Sequence, residues 1–472
     1  MDHKIIKNFS FVFGAQTLIL VISVIRALIL PKFLSIEDFG YWEVYWFYST
    51  YVGLFCLGYA DGIYLKYGEY DYNQLPIKHI RSGNLLFIGM LTCFTVICCL
   101  LIALFVNDQH IVFGLVFSAL NIVILGTTSV YIFIYQITNL FKKYSFYSVL
   151  DKVVLFISIL ILLGVNIWNF KLLIIIDFLA KVLVLVLMII KSRELLFGER
   201  YNIRNSCQDL TDNIRIGIKL MVANLMSMLL IGAGKIIVQI FGDITEFAIY
   251  SFGISITGLV LTTVVSISLV LYPAVKRIAQ ERYSELFCQI NSFNRLFGLS
   301  ALLLYFPVYY FINLFYSQYS SVLVYLNLLF VLIFLQCKIS ILNNTFYKAL
   351  REEKELLRAN LLCVAFFILI ALPSFYINHA MWVIAACTTI AMFYRCYSSE
   401  YFFCRKMSIS LSHDDLYEIL FLIGFVILTT LLHFNMSLLF VSVGYLVWFA
   451  IKYKSNKELM VNLFKTKRPY TI

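Results

Sequence analysis

Apolar stretches of about 20 residues follow one another along this whole chain, and the gaps between them are alternately basic and almost free of charge. Lys and Arg gather at the turns after Tyr64, Tyr135, Ile190, Tyr272, Phe346 and Phe403, and at both termini. The intervening turns are short: Asn107 to His110, Asn166 to Phe170, Gly242 to Glu246, Ser317 to Ser321 and Ile377 to Ala380. Only Lys32 and Lys171 fall in or at the edge of that second set of gaps. Alternation of this kind is the positive-inside pattern of a helical protein that crosses a bilayer many times. It also removes every function that needs a sizeable domain on the uncharged side.

Composition agrees. Of 472 residues, 62% are hydrophobic and 13% charged, with a mean hydropathy of +0.89; soluble domains carry about 25% charged residues. In hydrocarbon the backbone must satisfy its own hydrogen bonds, so runs of this length are helices. A membrane barrel would show alternating segments of about ten residues instead. The expected fold is therefore an all-α polytopic membrane protein with about fourteen spans. These lie near 7–31, 40–64, 84–106, 111–135, 149–166, 171–191, 214–241, 247–275, 294–316, 322–346, 357–377, 379–403, 417–433 and 436–454. An even count puts both termini on one side, and the basic loops place that side in the cytoplasm. The net charge of +11 is accounted for by anchoring at the inner leaflet and requires no nucleic acid.

The first apolar stretch, Phe9 to Leu30, is longer than the apolar core of a signal peptide and reads as a retained span. The eleven cysteines lie mostly within spans, without CxxC spacing, and read as small apolar residues. The longest polar gap, Lys191 to Asn213, is too short to fold alone and divides six spans from the rest. The expected organisation is a helical bundle at 1–191, a cytoplasmic linker at 192–213, a second bundle at 214–403, and a pair of spans with a basic tail at 404–472. A repeat across the linker supports it. The turn Ser35-Ile36-Glu37-Asp38-Phe39-Gly40 aligns with Asp243-Ile244-Thr245-Glu246-Phe247-Ala248, and the same offset places Arg26 beside Gly234 and Lys235. Helix-capping turns also resemble one another for local reasons, which is the alternative account of the match. A tandem six-span repeat gives two like-oriented halves, a plan used by transporters.

Charges inside spans are expensive, and they face water or each other. Lys152, Arg215, Lys219 and Arg395 lie within reach of the cytoplasmic boundary and read as anchors. Lys181 follows Asp177 by four residues, the spacing of an ion pair on one helix face. Arg26, Lys235 and Lys338 have no such local explanation. Each lies on a polar stripe: Gln16, Ser23 and Arg26 on the first span; Asn224, Ser227, Lys235 and Gln239 on the seventh; Asn327, Lys338 and Thr345 on the tenth. With no matching deep carboxylate in the sequence pattern, three such cations predict an electropositive cavity suited to a phosphate or pyrophosphate. Asp61, Asp151 and Asp177 are the acidic residues in or near span interiors and the candidates for coupling to protons or sodium. Trp42, Trp46, Trp168 and Trp382 mark an interfacial belt. The six histidines lack ligand spacing, so no metal site is expected, and there is no G-x-S-x-G, Walker or H-E-x-x-H motif. Without a nucleotide site, no cofactor is expected, and energy has to come from an ion gradient, the membrane potential or the substrate's own gradient.

The segment Arg26-Ala27-Leu28-Ile29-Leu30-Pro31-Lys32-Phe33-Leu34-Ser35-Ile36-Glu37-Asp38-Phe39-Gly40-Tyr41-Trp42 resembles the opening of the bacterial polysaccharide transport family. The continuation Gly58-Tyr59-Ala60-Asp61-Gly62-Ile63-Tyr64-Leu65-Lys66-Tyr67-Gly68 is similar to a second stretch of that family. Those proteins are O-antigen and capsule flippases of the multidrug/oligosaccharidyl-lipid/polysaccharide exporter superfamily. The motifs cover about the first seventy residues; beyond them the agreement is in span count, loop length and layout. The resemblance implies two six-helix bundles around a central cavity, with two C-terminal helices added. It implies residence in the bacterial inner membrane and, as cargo, an oligosaccharide linked to undecaprenyl pyrophosphate. Membrane lipids, a polysaccharide polymerase and a chain-length regulator would be its partners. Moving such a headgroup unaided would expose its charge to hydrocarbon at a cost of tens of kcal/mol, and fixed cations in a cavity would lower that barrier.

Two other functions compete. A drug/ion antiporter of the same superfamily would want deep acids for a cationic drug, whereas the deep charges here are mostly basic. A polysaccharide polymerase or ligase would want a large outer loop with catalytic Arg or His, whereas the longest here, Pro31 to Gly40, is about ten residues.

Overall fold

The computed structural model describes residues 3–68, 70–199, 201–259, 280–410 and 413–452; among these, the side chains of 3–10, 223, 224, 227, 230, 231, 280 and 353 are left aside. All regular structure in the described residues is helical. The chain divides into two compact units, Met1–Met228 and Leu229–Ile472. The second half of the predicted span 247–275 and the tail beyond 452 lie outside the described residues.

The first unit comprises α1 (His3–Phe33), α2 (Ile36–Thr50), α3 (Tyr59–Lys66), α4 (Ile77–Phe105), α5 (Gln109–Ile137), α6 (Phe141–Val165), α7 (Phe170–Lys191) and the start of α8 (Ile203–Phe241). Helix α5 sits at its centre, packed by α2, α3, α4, α6 and α7. The span expected at 40–64 is two helices. A short 3₁₀ turn, Val52–Cys56, ends in Leu57 and Gly58, both left-handed, with φ of 47° and 79°. Gly58 suits such a conformation because it has no Cβ. It also lets α8 cross α3 backbone to backbone: a methyl placed on Gly217 would strike the Gly58 carbonyl and the Gly62 amide, and one on Gly62 would strike the Asn213 carbonyl.

The polar gap that reads as a linker is docked on this unit. Arg81 donates to the carbonyls of Glu194 and Glu199 at 2.8 and 2.7 Å, and Asn84 donates to Leu195 at 3.1 Å. His79 lies 2.8 Å from Asp209, and the amide of Tyr201 donates to Ser82 at 2.9 Å. The Tyr72 hydroxyl bonds Glu194; burial first, and then that bond, push its pKa up. These contacts use the backbone groups that an unstructured connection would leave to water.

The second unit comprises the end of α8, then α9 (Ile244–Leu259), α10 (Tyr283–Leu302), α11 (Tyr305–Phe315), α12 (Leu326–Lys338), a π turn (Ile339–Asn343), α13 (Asn344–Ala349), α14 (Glu353–Ile377), α15 (Met381–Lys406), α16 (His413–Leu431) and α17 (Phe434–Ile451). The segment Leu326–Ala349 is its axis: 83% of its apolar window is buried, against 28% for Lys354–Ile377. Helices α10, α15 and α16 pack around it.

Nine described helical segments are long and apolar enough to cross a membrane. Their outward faces carry exposed Leu104, Phe105, Ile161, Leu369 and Leu446, an apolar exterior that suits lipid. This is an all-α, multi-pass membrane protein. The repeated turn has a local cause as well as a shared position. Ser35 caps α2 by accepting from the Asp38 amide at 3.1 Å, and Asp243 and Glu246 cap α9 reciprocally at 2.7 and 3.3 Å. Phe39 and Phe247 each occupy the fourth helical position and are buried.

Gly217→Ala forces a methyl into the α3 backbone and is expected to destabilise the protein by about 1–3 kcal/mol. Gly89→Ala on α4, with nothing within 4 Å of the new methyl, is expected to be neutral or to stabilise by up to about 1 kcal/mol. Thermal unfolding of the two purified variants, followed side by side in one detergent, checks the contrast.

Candidate functional site

Each unit holds a buried network of charged side chains. In the first unit, α7 turns Asp177 and Lys181 to the same face, one helical turn apart, as their spacing predicts. Lys181 Nζ lies 2.5 Å from Asp177 Oδ2, with both side chains buried. Tyr45 on α2 donates its hydroxyl to the same carboxylate oxygen at 2.5 Å and lies 3.1 Å from Lys181 Nζ. Asn121 on α5 donates to Tyr45 at 3.0 Å and to Ser49 at 2.9 Å. Arg26 borders this network through Trp46, whose ring centre is also 5.6 Å from Lys181 Nζ. Its guanidinium carbon is 3.4 Å from the centre of the Trp46 ring, and the acids whose charge acts on it are Glu43 and Asp177. A guanidinium over an aromatic face is held by cation–π attraction and retains the planar N–H fork that pairs with carboxylate or phosphate. Glu43 is buried at 5% exposure; its position amid the aromatics of α2 masked it in the sequence. Of the other polar residues on the first span, Gln16 is exposed and Ser23 is half-buried.

The other two acids singled out in the sequence, Asp61 and Asp151, make no direct bond to this network among the described contacts. Asp61 is in the first turn of α3, half-buried beside the α8 crossing. Asp151 is held by its neighbour Lys152 at 3.0 Å. That pair lines a cavity of about 200 Å³ among α5, α6 and α7, together with Thr128, Ser148 and Lys181.

In the second unit, Lys235 is buried with its ammonium 6.0 Å from the Phe247 ring centre, and Gln239 is half-buried one turn on. The side chains of Asn224 and Ser227 lie outside the described residues. The stripe on α12 is occupied by helix packing. Asn327 donates to Thr429 and Thr430 of α16 at 3.0 and 2.9 Å, and Thr345 is buried. Lys338 lies 2.6 Å from Glu418 Oε1 on α16 and 2.8 Å from Glu400 Oε2 on α15. The expectation that deep cations lack deep carboxylates therefore fails at Lys338, and Arg26 has Glu43 and Asp177 near it. The physical reason is the one that applies to any charge in hydrocarbon: a fixed ammonium removed from water recruits acids.

Three of these groups were concealed by lying at span ends, where charge reads as boundary. Arg295 is one residue inside the ninth predicted span, Glu418 one inside the thirteenth, and Glu400 three from the end of the twelfth. Arg295 Nε donates to Glu418 Oε2 at 3.1 Å, and its terminal nitrogens reach Asp415 and Asp414. Tyr397 donates to Glu418 Oε1 at 2.6 Å. The signal that could have found them is the spacing of Asp414, Asp415 and Glu418, which gathers acids on one face of an otherwise apolar helix. Arg395, read as a boundary anchor, is fully buried. It donates to Asn360 at 2.8 Å, Asn344 at 3.3 Å and Ser399, all neutral oxygens. Among the described residues no group of three or more His, Cys, Asp or Glu is placed to hold a metal ion, and the eleven cysteines are free.

Residues 29–288 match the model of a family described as "Polysaccharide biosynthesis protein". No curated protein matches the chain in sequence. Among solved structures the chain is similar to the lipid II flippase MurJ in an inward closed conformation, at 14% identity and a TM-score of 0.59, covering 95% of this chain and 99% of that one. It is also similar to a multidrug resistance MATE family transporter of the MOP superfamily in an outward-facing conformation, at 13% identity and a TM-score of 0.53, covering 85% and 96%. A Vibrio cholerae MATE transporter gives 13% identity and a TM-score of 0.52, covering 84% and 96%. At these identities the likeness establishes a shared fold.

Lys338→Met strands Glu418 and Glu400 with one fewer cation and is expected to lower stability by about 3–5 kcal/mol. Adding Glu418→Met is expected to recover part of that loss. A double-mutant cycle of thermal unfolding on the purified proteins measures the coupling, and additive effects would show that the pair is not energetically linked.

Proposed function

Because the chain belongs to the polysaccharide biosynthesis protein family, we propose that it is a flippase that carries an undecaprenyl-pyrophosphate-linked oligosaccharide across the bacterial inner membrane by alternating access. The repeat unit of an O-antigen or capsule is the cargo class, and the basic end of the helices, with both termini, is the cytoplasmic side. The six-span bundles at 1–191 and 214–403, with the last two helices as an addition, are the moving parts of that scheme.

The observation that carries the proposal is the Arg26 guanidinium 3.4 Å over the Trp46 ring, beside the polar network of the first unit. A guanidinium held over an aromatic face keeps its fork of N–H donors, the group that meets two phosphate oxygens at once. Lys235, buried beside Phe247 in the second unit, is the other headgroup cation. Lys338 is given a different role, since Glu400 and Glu418 hold it. The polyprenyl tail stays in lipid throughout, so only the pyrophosphate and sugars require a polar route. Polymerase and chain-length regulator are its expected partners in the same membrane.

A cationic-drug antiporter would want an acid with spare charge. Among the described residues, Asp177 is engaged by Lys181, and Glu418 by Lys338 and Arg295, so neither offers spare charge to a cationic drug. This favours the anionic cargo.

In a host lacking its own copy of the gene, Arg26→Ala should insert normally but lower surface glycan at least tenfold, with lipid-linked repeat units accumulating on the cytoplasmic leaflet. Arg26→Lys should restore export only in part, because an ammonium cannot form the bidentate pair. Full surface glycan from both Arg26→Ala and Lys235→Ala would remove the proposal.

A further inference from the structure

The network around α16 brings several carboxylates close together. Among the described residues it contains two buried cations, Arg295 and Lys338, two buried carboxylates, Glu400 and Glu418, and the partly exposed Asp415. Asp414 and Lys452 pair at 2.8 Å on the partly exposed rim, where Arg295 also comes within 3.8 Å of Asp414. Arg395 lies five residues before Glu400, about 140° around α15, and faces Asn344 and Asn360 instead. A carboxylate as deep as Glu400 costs several kcal/mol if it stays ionised without full compensation.

The three acids are not equivalent. Glu418 is fully buried but saturated with donors, taking Arg295, Lys338 and the Tyr397 hydroxyl. Asp415 is fixed by Arg295, and its side chain is 16% exposed. Glu400 is 3% exposed. Its Oε2 lies 2.8 Å from Lys338 Nζ but lacks the alignment of a hydrogen bond. Its Oε1 takes a 2.6 Å bond from Asn291 Nδ2, and the same nitrogen lies 3.3 Å from Asp415 Oδ1. One amide thus bridges two carboxylates, while Asn291 Oδ1 is buried without a partner. Turned over, that amide offers an acceptor to a protonated carboxyl at the same place.

From this geometry we infer that Glu400 and Asp415, bridged by Asn291, form a proton-binding site, with Glu400 as the buried carrier and Asp415 as its connection to the rim. Binding forms one O–H bond on a carboxylate and leaves water where hydronium was; no other bond changes. The groups facing the site from α10 are Arg295 and Cys288, and from α12 Lys338. From α15 they are Cys396, Tyr397 and Cys404, and from α16 Asp414 and Glu418. Discharge of the proton strengthens the hold of Lys338 and Arg295 on their acids; its uptake loosens α15 from α12 and α16. That is a way to link proton movement to helix rearrangement. The link to transport rests on the flippase proposal, but the proton site does not.

Infrared titration of the purified protein in lipid nanodiscs, in potassium buffer from mildly acidic to mildly alkaline pH, tests the site without any glycan. Expected is a protonated-carboxyl C=O band that disappears as pH rises. It should be absent in Glu400→Gln, displaced in Glu400→Asp and unchanged in Asp151→Asn. If Glu400→Gln does not fold, the displaced titration of Glu400→Asp carries the test. A wild type without the band, a folded Glu400→Gln that keeps it, or its loss when sodium replaces potassium at constant pH would each overturn the inference.

Discussion

A charge carried into hydrocarbon must find a partner within reach of its own side chain, and this requirement organises both units. In the first, Asp177 and Lys181 pair along one helix face, and Tyr45 and Asn121 extend the pair to α2 and α5. In the second, Glu418 gathers Arg295, Lys338 and Tyr397, so that one residue of α16 fastens three other helices. Between hydrocarbon-facing helices there is little hydrophobic driving force for association, and polar contacts of this kind decide which faces meet. The helix that reads as an accessory near the C-terminus is thereby joined to the axis of its unit.

Much of the helical layout is legible in the sequence because length and hydropathy are one-dimensional quantities. Each predicted span that falls on described residues coincides with helix. What span length does not reveal is interruption: the left-handed pair Leu57 and Gly58 splits one span, and the π turn Ile339–Asn343 interrupts another. The docked stretch 192–213 was also hidden. Its contacts run to Arg81, Asn84 and His79, more than a hundred residues earlier, and no local pattern records them.

The candidate sites were legible only where both partners share one helix. Asp177 and Lys181 are four apart, so the pair is visible as spacing. Lys338 and its acids lie on three helices, and Glu400 and Glu418 stand near predicted span ends, where charge is ordinary. The same ambiguity misplaced Arg395, which has the sequence position of an anchor but lies fully buried among amide and hydroxyl oxygens. Arg26 kept its prominence because it lies five residues inside the end of the first predicted span that faces the nearly uncharged loops, where basic anchors are not expected.

The account stands or falls on whether this protein moves an anionic lipid-linked glycan between leaflets. The direct measurement is reconstitution into vesicles with a fluorescent undecaprenyl-pyrophosphate oligosaccharide, following the fraction open to a membrane-impermeant quencher. The account predicts that vesicles containing the protein equilibrate the lipid between leaflets, and that Arg26→Ala slows this toward the protein-free rate. Equal rates in vesicles with and without the wild-type protein, under an imposed proton or sodium gradient as well as without one, would contradict it.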